Sequence, residues 1–146
     1  MEAVQQRRAA QLMQDKAIKS VSVGASADSP NEGALLIQVS GNKIPQVPPT
    51  IDGVRTRLVF DASSSGIHTS IGEQEVARAT LVKESHVSSL LGQPGIQGVA
   101  VSQSADNPTE TAIAIYIIKG ATHPPIPAVI DGVRTRIFEG DRFKAY

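Results

Sequence analysis

Arginine carries the clearest chemical signal in this sequence. Arg55 and Arg57 stand in the heptapeptide Ile51-Asp52-Gly53-Val54-Arg55-Thr56-Arg57, which recurs unchanged as Ile130-Asp131-Gly132-Val133-Arg134-Thr135-Arg136. Residues two apart on a strand point to the same face, so each pair would send two guanidinium groups out on the side opposite Val54, Thr56 and Leu58. Arginine binds carboxylate or phosphate in a bidentate fork. Were the two copies related by symmetry, Arg55, Arg57, Arg134 and Arg136 could gather into an anion-binding site. Spread over an open sheet, they would instead pair with Glu, Asp or backbone carbonyls.

Other constellations are weaker. His68 lies in a serine-rich stretch with Ser63, Ser64, Ser65 and Ser70, the ingredients of a small hydrolase of unrecognised type, yet no Gly-x-Ser-x-Gly elbow accompanies them. His68, His86 and His123 show no His-Glu-x-x-His spacing, so no zinc site is expected. The turns Asp28-Ser29-Pro30-Asn31-Glu32 and Asp106-Asn107-Pro108-Thr109-Glu110 are rich in the oxygen ligands a hard cation takes. Their spacing matches no EF-hand loop, and Asp and Asn at such places more simply cap a hairpin. Gly92-Gln93-Pro94-Gly95 is a helix stop rather than a phosphate loop, because it leaves a helix and enters a strand. No catalytic residue and no cofactor is assigned.

Composition narrows the partners. The 146 residues balance 14 Lys+Arg against 14 Asp+Glu, so no global field favours nucleic acid or an anionic membrane. Three Phe, two Tyr and no Trp leave little for base-stacking platforms. With no cysteine, disulfides and thiolate chemistry are excluded. No apolar run approaches the roughly 18–20 residues of a membrane span, and Met1 to Arg8 carries charge where an export signal would need an apolar stretch. Any such leader is expected to have been removed.

The elements follow from periodicity. Glu2 to about Lys16 holds good helix formers, with Val4, Ala9, Leu12 and Met13 at helical spacing. The period then becomes two: Val21 and Val23 mark a strand, the Asp28 turn closes a hairpin, and Ala34 to Ser40 returns with Leu35, Ile37 and Val39 inward. Pro45, Pro48 and Pro49 describe an extended crossover. Asp52-Gly53 turns into a strand over Val54 to Phe60. After a linker over 61–73 the order repeats: helix from Gln74 to Leu91, strands over Gln97 to Ser102, Thr111 to Ile118 and Val133 to Phe138. Ile18 matches Ile96, an offset of 96 − 18 = 78, and Asp52 matches Asp131, an offset of 79, so one inserted residue separates the copies.

Residues 1–60 and 74–146 are therefore expected to be two helix-strand-strand-strand repeats fused into one domain, since units of about 60–70 residues are marginal alone. The expected fold class is α+β: a two-layer, pseudo-twofold arrangement with a six-stranded, largely antiparallel sheet and two helices on one face. The alternative keeps two three-stranded lobes packed through their open faces.

The second copy, Leu91-Gly92-Gln93-Pro94-Gly95-Ile96-Gln97-Gly98-Val99-Ala100-Val101 with Ala112 to Ile117, Ile126-Pro127, Ile130-Asp131-Gly132-Val133 and Gly140 to Ala145, resembles a small module of uncharacterised bacterial proteins. Many of those proteins are exported, and a similar segment precedes some trypsin-like peptidase domains. The resemblance covers nearly all of both copies and rests on structural glycines, prolines and strand residues. It implies a fold, no catalytic residues, and a periplasmic or extracellular location, with the cytoplasm left open; a fused peptidase domain is not expected in a chain ending at Tyr146.

The expectation is thus a non-enzymatic interaction or accessory module acting through a sheet face or edge. Ala34, Leu36 and Gln38, with Ala112, Ala114 and Tyr116, form an outer face apolar enough to be a contact surface. Leu36, Ala114 and Tyr116 are its expected centre, for a homodimer or another protein partner.

Overall fold

The computed structural model describes residues 12–41, 44–60 and 72–141. The fold is α+β, with two four-stranded mixed sheets and, among the described residues, one helix. Contacts divide the chain into two compact units: Met1–Ser70 with Ala105–Asn107, and Ile71–Ser104 with Pro108–Tyr146. The first expected helix lies, apart from Leu12 to Lys16, outside the described residues.

In unit 1, β1 (Ile18–Ala25) and β2 (Gly33–Val39) form an antiparallel hairpin, with a bulge between Ile18 and Ser20. β3 (Thr50–Ile51) and β4 (Val54–Phe60) form a second, tight hairpin, and β2 runs parallel to β4. The order is β1-β2-β4-β3. Unit 2 holds α1 (Glu73–Leu91), β5 (Ile96–Gln103), β6 (Thr111–Ile118), β7 (Val129–Ile130) and β8 (Val133–Gly140), in the order β5-β6-β8-β7. Its bulge falls between Ile96 and Gly98, and β6 runs parallel to β8.

Two expectations are corrected here. The strands form two four-stranded sheets rather than one of six, and each sheet is mixed rather than largely antiparallel. The cause is the proline-rich crossover. It carries the chain back along the sheet, so the strand after it lies parallel to the one before. Thr56 fixes this path by donating its hydroxyl to the carbonyl of Pro48 at 2.6 Å, and its amide to Pro49 at 3.0 Å. Thr135 does the same to Pro127 at 2.6 Å and Ala128 at 3.0 Å. Proline lacks a donor but keeps a carbonyl, and the buried threonines use it.

The extra strand in each sheet is β3 or β7, two residues long. Asp52 and Gly53 have φ of 52° and 81°, and Asp131 and Gly132 have 47° and 81°. Two consecutive positive φ values define the type I′ turn whose twist suits a two-residue hairpin, so Ile51 pairs with Val54 and Ile130 with Val133.

The aliphatic alternation sets the core. Leu35, Ile37 and Val39 in β2, and Ile113, Ile115 and Ile117 in β6, are buried as their period of two requires. Ile37, Val39 and Leu58 anchor one cluster with Ile18 and Val47, while Ile113, Ile115 and Ile117 anchor another with Ala79 and Ile96. α1 packs mainly against β5 and to a lesser extent β6. Its first turn carries Glu73 and Glu75, whose charge suits the helix N-terminus, and the chain breaks out at Gly92 before Gly95, whose φ is 83°.

Candidate functional site

The arginines occupy matching places in the two units. Arg55 is 3% exposed and Arg134 2%. Arg55 donates through Nε to Glu32, and Arg134 through Nε to Glu110 at 2.6 Å. Both glutamates lie just ahead of the central strand of their sheet. Arg57 donates to the Ala25 carbonyl at 3.0 Å and Arg136 to that of Gln103 at 2.8 Å, reaching past β2 and β6 to the last carbonyl of β1 and β5. Within each unit the first arginine is thus sunk against a carboxylate while the second closes a strand end.

The outer face differs from expectation at its centre. Leu36 and Tyr116 are half-buried, but Ala114 is fully buried and so cannot serve as an exposed contact residue. Ala114 sits in register between Ala100 and Arg136, and Ala34 and Ala112 on the same expected faces are fully buried as well. The Arg136 guanidinium lies 4.7 Å from the Phe138 ring centre, and Phe138 stacks on Tyr116 with centroids 5.2 Å apart. In unit 1, Leu36 lies against Gly24, where an added Cβ would approach its Cδ1 to 2.5 Å.

Within unit 1 the oxygen-rich turns do something sequence reasoning missed. The Asp106 carboxylate accepts from Ser26 Oγ at 2.6 Å, Ala27 N at 2.6 Å and Asp28 N at 3.2 Å. Asp28 Oδ1 accepts from Ala105 N at 2.6 Å. Both aspartates are fully buried. Carboxylate oxygens committed to N–H and O–H donors are poor cation ligands, and among the described residues no three His, Cys, Asp or Glu side chains gather to hold a metal. The recurrence of Ser26-Ala27-Asp28 as Ser104-Ala105-Asp106 was the available signal.

Two further features belong to unit 2. His86 Nε2 on α1 lies 2.7 Å from Asp131 Oδ2 in the β7–β8 turn, which ties the helix to that end of the sheet. An apolar cleft of about 170 Å³ opens between Leu90, Gln93, Ile96 and the proline-rich stretch around Ile126. Ligand sites run to about 300–1,000 Å³, so this cleft has room for one side chain. His68 and the serines around it lie outside the described residues.

The sheet edges remain. Among the described residues β1 and β5, eight residues each, end their sheet orders and have one strand neighbour each. β1 contains Lys19, whereas β5 reads Ile96-Gln97-Gly98-Val99-Ala100-Val101-Ser102-Gln103, with neither charge nor proline. Charges and prolines are the usual protection of an edge. No described helix is long and apolar enough to cross a membrane. No family model matches the chain, and no curated protein is significantly similar to it.

Proposed function

We propose that the chain is a non-enzymatic interaction module that recognises its partner through a sheet edge. The observation that supports this most is β5, which among the described strands stands at the end of its sheet order and carries no charge or proline. An extended partner added there would gain main-chain hydrogen bonds for affinity and alternating side-chain contacts for specificity. The arginines fit this role as fixtures of the scaffold, each holding a carboxylate or a strand-end carbonyl. The duplicated strand order and register are further read as one helix-strand-strand-strand repeat used twice. Likeness to a segment that precedes peptidase domains agrees with an accessory part.

The test is site-specific photo-crosslinking in cells that make the protein. A probe at Ser102 on β5 should give discrete protein adducts, and a probe at exposed Lys119 should not. Absence of adducts from every position on β1 and β5 would overturn the reading. So would hydrolysis of model esters or peptides that disappears in His68→Ala, which would favour the hydrolase instead.

A further inference from the structure

We propose that the apolar cleft of unit 2 is a socket for one aliphatic side chain of isoleucine size, presented by a polypeptide partner in an isoleucine-proline sequence. The occupant follows from the matching place in unit 1, where the chain supplies such a side chain itself.

Some of the residues that build this place are the same in both units. At the offset of 78, Leu12 corresponds to Leu90 (90 − 12 = 78) and Ile18 to Ile96 (96 − 18 = 78). Both leucines are half-buried, and the two isoleucines are 5% and 6% exposed. The crossovers differ. At the offset of 79 that relates the two heptapeptides, Ile44 corresponds to His123 (123 − 44 = 79). Ile44 and Leu12 pack against the core cluster of unit 1, which includes Ile18 and Val47. His123 instead donates from Nδ1 to the Pro124 carbonyl at 2.7 Å. It is drawn toward Gly95, where an added Cβ would meet the Thr122 carbonyl oxygen at 2.7 Å and His123 Cβ at 3.0 Å. In unit 1 the residue corresponding to Gly95 is Ala17 (95 − 17 = 78), which has that Cβ.

The consequence is visible in burial. Pro45 and Val47 are buried, whereas their counterparts Pro124 and Ile126 are only half-buried, although isoleucine is larger than valine. The last row of the sheet diverges in the same sense. Ile18, Val39 and Phe60 stand in register in unit 1, with Phe60 packed against the core. In unit 2 the row reads Ile96, Ile117 and Glu139, and Glu139 is exposed. Unit 2 thus has two apolar groups fewer at this end, and the cleft of about 170 Å³ lined by Leu90, Ile96 and Ile126 lies there.

No charged side chain lines the cleft, so an ion entering it would lose hydration without gaining a partner. An apolar cavity of about 150 Å³ holds benzene, which sets the occupant at one compact hydrocarbon group. Ile44 is followed by Pro45, and a proline fixes the chain beside the inserted side chain at little entropic cost. Gln93 at the rim brings an amide donor and a carbonyl acceptor for a main chain. Filling such a socket strengthens binding by roughly ten- to a hundredfold. It therefore selects among polypeptides that are also held elsewhere.

The experiment titrates the full chain with the blocked tetrapeptide Lys-Ile-Pro-Gln, the sequence of residues 43–46, and follows methyl resonances. Those of Leu90, Ile96 and Ile126 should move saturably while that of Ile37 stays still. A Lys-Ser-Pro-Gln peptide should bind at least about tenfold more weakly. His123→Ile supplies the missing plug: it should raise the urea midpoint and weaken the peptide by a similar factor. His123→Ala, which leaves the cleft open, should bind as wild type does, and unchanged amide exchange inside β6 shows that each variant is folded. Absence of saturable shifts up to the solubility limit of the peptide, equal binding of the two peptides, or undiminished binding to His123→Ile overturns the proposal. Benzene moving the same methyls while the peptide leaves them still also overturns it, in favour of a small-molecule cavity. Adducts at Ser102 bear on the β5 edge alone, so either reading can fail without the other.

Discussion

Ser26 Oγ donates to the Asp106 carboxylate at 2.6 Å although 80 residues separate the two in the chain. The same carboxylate receives the amides of Ala27 and Asp28. An unsatisfied buried donor costs about 1–3 kcal/mol, so Asp106→Ala, which strands three, should destabilise unit 1 by about 3 kcal/mol or more. Asp106→Asn keeps one acceptor oxygen and should cost less. Urea unfolding midpoints check the order, with exposed Glu84→Ala as the control that moves by no more than about 0.5 kcal/mol.

Ile115 is fully buried in the middle of β6, between Val99 and Ile137 in register. Ile115→Ala should cost about 2–5 kcal/mol through lost transfer energy and the cavity left behind. Leu81→Ala, at a position 67% exposed, should stay within about 0.5 kcal/mol. Equal midpoints for the two would mean that the aliphatic alternation does not define the core.

These residues also show what could be read without coordinates. Ile113, Ile115 and Ile117 announce their burial because a strand shows one face every second residue, and Asp131-Gly132 announces its turn because few residues accept positive φ. The parallel pairing of β6 with β8 is not written that way. It depends on where the prolines carry the chain, a non-local outcome with no periodic signature. Ala114 was misread for a related reason: its burial is set by what packs over it from elsewhere in the fold, which the alternation along its own strand does not record. The bond from Ser26 to Asp106 left only a repeated Ser-Ala-Asp as its trace.

Acid should loosen the start of α1. Burial pushes the Glu75 carboxyl up, but the hydrogen bond and charge of Arg78 and the hydrogen bond from Thr111 outweigh it and hold its pKa below the usual glutamate value. A lowered folded pKa stabilises above the unfolded value, about 4.3, and that contribution is lost as pH falls through the folded pKa. Thermal melts of Glu75→Gln should therefore fall below wild type near neutrality and converge with it in acid. Parallel curves at all pH values would show that the carboxylate is uncoupled from folding.

The last prediction separates a structural arginine from a ligand-binding one. The Arg134 side chain is 2% exposed and that of Glu110 31%, with Nε and Oε2 at 2.6 Å. Breaking a fully buried pair by removing one partner costs about 3–5 kcal/mol; because Glu110 is partly wet, Glu110→Ala should cost less, about 2 kcal/mol. Arg134→Met removes the buried cation itself and leaves a carboxylate that water can reach. The double variant should then be little worse than Arg134→Met alone, giving a coupling of about 1 kcal/mol or more in a double-mutant cycle. In unit 1, Glu32 is more exposed, at 44%, so Glu32→Ala should cost less than Glu110→Ala. Sulfate, phosphate and acidic peptides supply the control: they should shift the melting of wild type and of Arg55→Ala with Arg134→Ala equally. A shift confined to wild type would mean that the arginines hold an external anion, and that the glutamates only keep its place.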